Sequence, residues 1–231
     1  MKESLLENIR YTAFLGIIYP EAKRFDYLDF FHKGENSLNY RLCKIKFFLG
    51  EKNGKEIILG LQSFYQNRIN SEVKAYEEIR DKKVEVLDTR VLEIPPNDYI
   101  CNYFLKAEHD VGVTQIKLVT KQKRIILVGN EEGEEKIIDF LNDNNNHIVL
   151  GFLGCYRKSL EAFGASYIRV EDYYQLTIGY FELKRKIRDK KFKKNIIEFK
   201  YNDLSEKDKV LFKVCCLKDD LFHSIIKYIF F

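Results

Sequence analysis

The sequence predicts an all-β domain followed by a mainly α-helical, basic C-terminal extension. Two observations carry the first part. Apolar residues alternate with polar ones at period two through most of Leu42 to Ile168, and turn signals punctuate that pattern. A third carries the second part: beyond Val170 the apolar spacing lengthens towards the helical period.

In Arg41–Leu49, the residues Cys43, Ile45, Phe47 and Leu49 are expected on one face of a strand, with Lys44 and Lys46 on the other. Asn53-Gly54 then marks a tight hairpin turn, because a type I′ turn needs positive φ at both central residues. The chain returns as Glu56–Tyr65. Residues 71–90 are highly charged and contain neither Gly nor Pro, so they read as a short helix starting at Ser71 or as a solvated insertion. Val91–Ile94, Tyr99–Leu105, Val113–Thr120 and Arg124–Val128 follow as strands. Ile148–Leu150 runs through Gly151-Phe152 into a loop containing Gly154, Cys155 and Arg157–Glu161, and the chain resumes as a strand over Phe163–Ile168. Glu171–Lys194 reads mostly as helix. Val210, Val214, Leu217 and Leu221 continue at helical spacing behind the Ser205–Asp208 cap.

The 231 residues suit one medium domain with an extension, or two small ones. At 45% hydrophobic and 14% aromatic, the chain has enough apolar mass for a core, which excludes wholesale disorder. The formal charge of +4 is unevenly placed. Residues 184–200 hold nine Lys/Arg against Asp189 and Glu198, a net +7 that leaves the rest of the chain at −3. Lys184, Arg185, Lys186, Arg188, Lys190, Lys191, Lys193 and Lys194 form the candidate basic surface. Three readings stay open for it: the solvated face of an amphipathic helix, a contact for an acidic protein surface such as a filament, or a phosphate or anionic-membrane contact. No nucleic-acid-binding signature accompanies it, so nucleic acid is not an expected partner.

Five cysteines at irregular spacing and four scattered histidines form no zinc pattern. The cysteines read as small core fillers in a reducing compartment. The start, with acids at Glu3 and Glu7, fits neither a secretory signal nor a transit peptide, and no apolar run is long enough to span a bilayer. An intracellular protein, cytoplasmic, cytoskeletal or organellar, is expected. Gly-x-Ser-x-Gly, the P-loop, the dinucleotide fingerprint and HExxH are all absent, so neither enzyme activity nor a cofactor nor a metal is expected.

KIKFFLGEKNGKEIILGLQSFYQN, LEIPPNDYICNYFL, GVTQIKLVT, KRIILVGNEEG and HIVLGFLGCYRKSLEAFGASYI stand in the order of strands in the jacalin-like lectins, which they resemble. The resemblance covers about two-thirds of the chain. It implies a β-prism of three antiparallel sheets over residues 1–170, with 71–90 as an embellishment and 171–231 as the extension. It also implies a site. The family grips a sugar with a Gly-x-x-x-Asp loop before the closing strand, helped by a glycine-rich first strand. Here that register reads Arg157-Lys158-Ser159-Leu160-Glu161, and Phe14-Leu15-Gly16 and Phe25-Asp26 stand where the glycine pair is expected. Arg157 adds bulk and charge, and Glu161 is one methylene longer, displacing the carboxylate by about 1.5 Å. Gly154, Arg157, Lys158 and Glu161 are therefore the candidate ligand or partner loop. They are read as contacting another protein, retaining a carbohydrate, or standing solvated. The expected role is a non-catalytic interaction or structural subunit of a larger assembly, the alternative a lectin with a divergent site.

Overall fold

The computed structural model describes residues 9–12, 14–27, 40–67, 71–108, 111–130, 134–136 and 146–174. In chain order the strands are β1 (Arg10–Tyr11), β2 (Leu15–Gly16), β3 (Lys23–Asp26), β4 (Tyr40–Lys52), β5 (Lys55–Asn67), β6 (Val73–Ala75) and β7 (Asp88–Glu93). They continue as β8 (Ile100–Glu108), β9 (Gly112–Thr120), β10 (Ile125–Gly129), β11 (Glu134–Lys136), β12 (His147–Tyr156) and β13 (Leu160–Arg169).

These strands form three antiparallel sheets. β6-β5-β4-β7 and β10-β9-β8-β11 are each built around a sequential hairpin. The third, β1-β13-β12-β3 with β2 also on β13, joins the first strands of the chain to its last hairpin. The fold is thus a three-sheet prism, as the resemblance implies.

The turn at Asn53-Gly54 has the expected chemistry, with φ of 56° and 76°. Alternation places Ile45, Phe47 and Leu49 inside, but Cys43 is not with them. A register shift between Leu42 and Lys44 puts a bulge at Cys43, so Leu42 takes the core face and Cys43 is only half-buried.

Inner faces of all three sheets meet in one apolar cluster containing Phe47, Ile58, Ile116, Leu118, Phe152 and Phe163. Phe152 stacks on Phe163 at 4.9 Å between centroids, and Tyr103 meets Phe163 edge-on at 6.1 Å. Each such side chain contributes about 1.5–3 kcal/mol relative to exposure.

Buried tyrosines bridge the sheets. The Tyr65 hydroxyl on β5 donates to the Leu150 carbonyl at 3.1 Å, where β12 bulges and its ladder is interrupted. Tyr27, just past β3, donates to the Leu61 carbonyl of β5 at 3.2 Å. Tyr103 on β8 shares a 2.7 Å hydrogen bond with Thr12, whose oxygen also accepts from Ala165 N–H. Burial raises the Tyr27, Tyr65 and Tyr103 hydroxyls above the usual tyrosine range.

The charged segment 71–90 holds no helix. β6 pairs with β5, and Ile79 exchanges two backbone hydrogen bonds with Leu61, at 3.0 and 2.9 Å. The segment then lies across the outer face of its sheet, where Val84 and Val86 pack on Phe48, Ile57 and Leu59. Gly60 makes this approach feasible: a Cβ there would sit 1.7 Å from the Ile79 carbonyl oxygen. Arg80 pairs with Glu78 and stacks on the Phe48 ring. A pattern too charged for a core strand thus pairs as an edge, with three valine and isoleucine anchors among the charges.

A helical turn at 170–174 follows β13. The remainder of the expected extension, including the basic residues Lys184–Lys194 and the terminal apolar stripe, lies outside the described residues.

Candidate functional site

The β12–β13 hairpin closes in a three-residue turn, Arg157–Ser159. Arg157 N–H donates to the Ser159 carbonyl at 3.1 Å, and Ser159 Oγ reaches the Val111 carbonyl at 3.4 Å beside the β8–β9 turn. Gly154 is not in this loop. It lies inside β12, paired with Phe163 on one side and Phe25 on the other. Cys155 is likewise a buried strand residue.

Arg157 and Glu161 are brought together. Glu161 is 5% exposed, and its two carboxylate oxygens accept from Arg157 Nε and Nη2 at 3.1 and 3.3 Å. Arg157 Nη1 donates to Glu21 at 2.6 Å, and the guanidinium lies 3.6 Å from the Tyr19 ring centroid. Stacking, a bidentate carboxylate and a second acid are what a planar guanidinium accommodates best. The bonds to Glu161 and Glu21 raise the Arg157 group above its ordinary value. Lys158 is exposed beside this cluster.

The N-terminal segment supplies the other wall. Leu15 and Gly16 pair with Phe163 and Ala162, and Ile17 N–H donates to the Glu161 carbonyl at 3.1 Å. Gly16 has φ of 111°, and a Cβ there would lie 2.0 Å from the Glu161 carbonyl oxygen. The missing Cβ and positive φ of this single glycine let the N-terminal segment lie directly against the Glu161 backbone. Phe25 and Asp26 of β3 flank β12 from its far side, so both expected N-terminal pieces border this hairpin.

Chemically, the arrangement is a self-satisfied ion cluster. Both oxygens of the loop carboxylate face a guanidinium from its own hairpin, and nothing in the cluster forms a nucleophile–base pair. Tyr19 and Glu21 are the residues that sequence reasoning missed. They lie more than 130 positions before Arg157 and carry no motif; Pro20 between them signals a turn and nothing about its partner.

Solved structures similar to this chain include several lectins. Calystegia sepium agglutinin aligns with a TM-score of 0.51 and 13% identity, covering 69% of this chain and 96% of its own. AcmJRL, a mannose binding jacalin related lectin from Ananas comosus, aligns at 0.50 and 16%, covering 70% and 99%. Frutapin, a lectin from Artocarpus incisa, aligns at 0.50 and 17%, covering 70% and 97%. The class this defines is a jacalin-like β-prism fold. No protein-family model and no curated protein matches the chain. At such identities the likeness concerns fold alone.

Proposed function

We propose that this chain is a non-catalytic recognition module on a lectin-like β-prism, serving as a subunit of a larger intracellular assembly. One observation carries the reading: Arg157 occupies the Glu161 carboxylate from within the same hairpin. A hydroxyl ligand would have to displace a bidentate, charge-assisted pair from a largely buried acid. Lys158 and the exposed edge of the Arg157 cluster are then free for a protein surface. The run of positive charge in the sequence over 184–194 suits an acidic partner such as a filament.

The test is twofold. The native protein is expected to co-migrate with a larger complex on gentle affinity purification and sizing. Neutralising Lys190, Lys191, Lys193 and Lys194 is expected to weaken that association and flatten its salt dependence. A protein that purifies alone as a monomer, whatever the salt, would rule the reading out.

A second reading is a lectin with a divergent site. Glu161 favours it, since a carboxylate still stands at the closing end of the loop next to the N-terminal strand. Glycan-array binding that free monosaccharide competes and that Glu161→Ala abolishes would establish this reading over the first.

A further inference from the structure

The sheet β10-β9-β8-β11 ends on one side in an open strand, β10. β10 bonds to β9 through its even-numbered residues. Thr120 N–H donates to the Arg124 carbonyl at 2.9 Å and Asn130 N–H to the Thr114 carbonyl at 3.0 Å, with an unbroken register between them. Bonding residues alternate in an antiparallel ladder, so Ile125, Leu127 and Gly129 turn their N–H and C=O groups away from β9. Gly129 bears this out, because its N–H donates to the Glu56 carboxylate of β5 at 3.1 Å. Among the described residues, no hydrogen bond outside the β9 ladder reaches the Ile125 or Leu127 main chain.

Side chains mark the same two residues. Ile125 is 58% exposed and Leu127 42%. Both project from the outer face, where their neighbours on β9 are Val119 and Lys117. Protein edges are commonly blunted by a lysine or proline within the strand, and Ile125–Gly129 contains neither. An aliphatic edge of this kind is a template for a further strand.

Charge selects that strand and its direction. Ahead of β10 stand Lys121, Lys123 and Arg124 against one acid, Asp98, which lies 3.8 Å from Arg124. At the other end Glu56 and Arg90 offset each other at 3.6 Å, and Glu131 and Glu132 follow in the sequence. The strand thus runs from a net positive end to a net negative one. A second β10 laid antiparallel sets each basic end beside the other's acidic end, whereas a parallel one sets like beside like.

The register is self-complementary as well. With Ile126 on a two-fold axis, Ile125 of each copy lies opposite Leu127 of the other. Their outward N–H and C=O groups then exchange bonds, and their exposed side chains meet on one face. A slip of two residues either way would call on the Gly129 or the Lys123 N–H, already bonded to Glu56 and to the Thr120 carbonyl. The contact closes on itself, as an isologous pair does.

We infer that β10 is a self-association edge, through which two copies of this chain pair antiparallel about Ile126 and join their sheets. The contact needs only a second copy and does not depend on the assembly proposed above.

The test is sedimentation equilibrium of the purified full chain at loading concentrations from about 5 to about 500 µM, with amide exchange followed by NMR. A monomer–dimer equilibrium is expected, weakened about tenfold or more by Ile125→Lys and by Leu127→Pro. The proline removes only an outward N–H, and Ile125→Lys changes only an exposed side chain, so either variant alone keeps the test alive. Val73→Lys, on the exposed edge strand β6, is expected to leave the equilibrium unchanged. Exchange at the Ile125 and Leu127 amides should slow as concentration rises, while the Ile126 amide, within the β9 ladder, is slow throughout. A monomer at every concentration would overturn the inference and leave the recognition reading to its own test. So would a dimer that persists in both β10 variants or is lost in Val73→Lys, since the contact then lies elsewhere. Slow exchange of Ile125 and Leu127 at every concentration would show that residues 175–231 of the same chain cover the edge, and would overturn it equally.

Discussion

A guanidinium held by two carboxylates and an aromatic ring has little freedom to leave, and Arg157 is held in this way by Glu161, Glu21 and Tyr19. Removing it strands the largely buried Glu161 without its cation, and an uncompensated charge costs more than a missing pair. Arg157→Ala is therefore expected to be more destabilising than Glu161→Gln, and the double variant Arg157→Ala/Glu161→Gln to recover part of that loss. Urea denaturation of the three variants checks this; strictly additive losses would show that the pair is not coupled. Tyr65 makes a different residue-scale case. Tyr65→Phe leaves the Leu150 carbonyl at the β12 bulge without its donor, with an expected cost of about 1–3 kcal/mol in the same assay. Arg157 and Glu161 were legible in the sequence as the two ends of the loop register that the lectin resemblance marks, although their pairing was not. Glu21 and Tyr19 were not, since a contact across more than 130 residues leaves no local trace.

At the scale of elements, the hairpins read clearly because two signals coincide: alternation along the strand and a turn residue with the required φ. β4 and β5 have both, in Ile45-Phe47-Leu49 and Asn53-Gly54. Segment 71–90 has neither. Its β6 is three exposed residues long, and its hold on the sheet is the Leu61–Ile79 backbone exchange and the small cluster around Phe48. Backbone pairing of that kind is independent of side-chain identity, so charge content misled the helical expectation. Gly60 is the exception, a residue whose lack of Cβ is needed by the segment around Ile79, outside its own hairpin. Gly60→Ala is expected to lift 76–86 from the sheet. The cost should be at least the overpacking range of about 1–3 kcal/mol, with faster proteolytic cleavage within Asp81–Leu87. An unchanged cleavage rate would show that the segment does not depend on that close approach.

For the whole molecule, three sheets with separate hairpins form one body because their inner faces share a core and because tyrosines tie one sheet's hydroxyl to another's carbonyl or hydroxyl. Tyr27, Tyr65 and Tyr103 are all raised by burial, and Tyr99 is pushed up to about 12 by burial together with the Cys101 and Asp98 charges. An unfolded tyrosine loses its proton at about pH 10. Below that pH both states are protonated and the contribution to stability is complete. Above it the unfolded chain releases protons first, so the folded state is progressively disfavoured until its own tyrosines ionise. Burial raises the Cys101 and Cys155 thiols in the same direction, which starts the decline slightly earlier, from about pH 8.5. From neutral pH to about pH 8.5 these groups should therefore leave the denaturation midpoint unchanged, and it should fall increasingly steeply beyond about pH 10. Tyrosinate absorbance should rise in two stages, the exposed rings first and the buried ones only with loss of the folded circular dichroism signal. A single smooth titration of all tyrosines with the fold intact would mean that the inter-sheet hydroxyls are open to water, and that the prism is held by its apolar core without them.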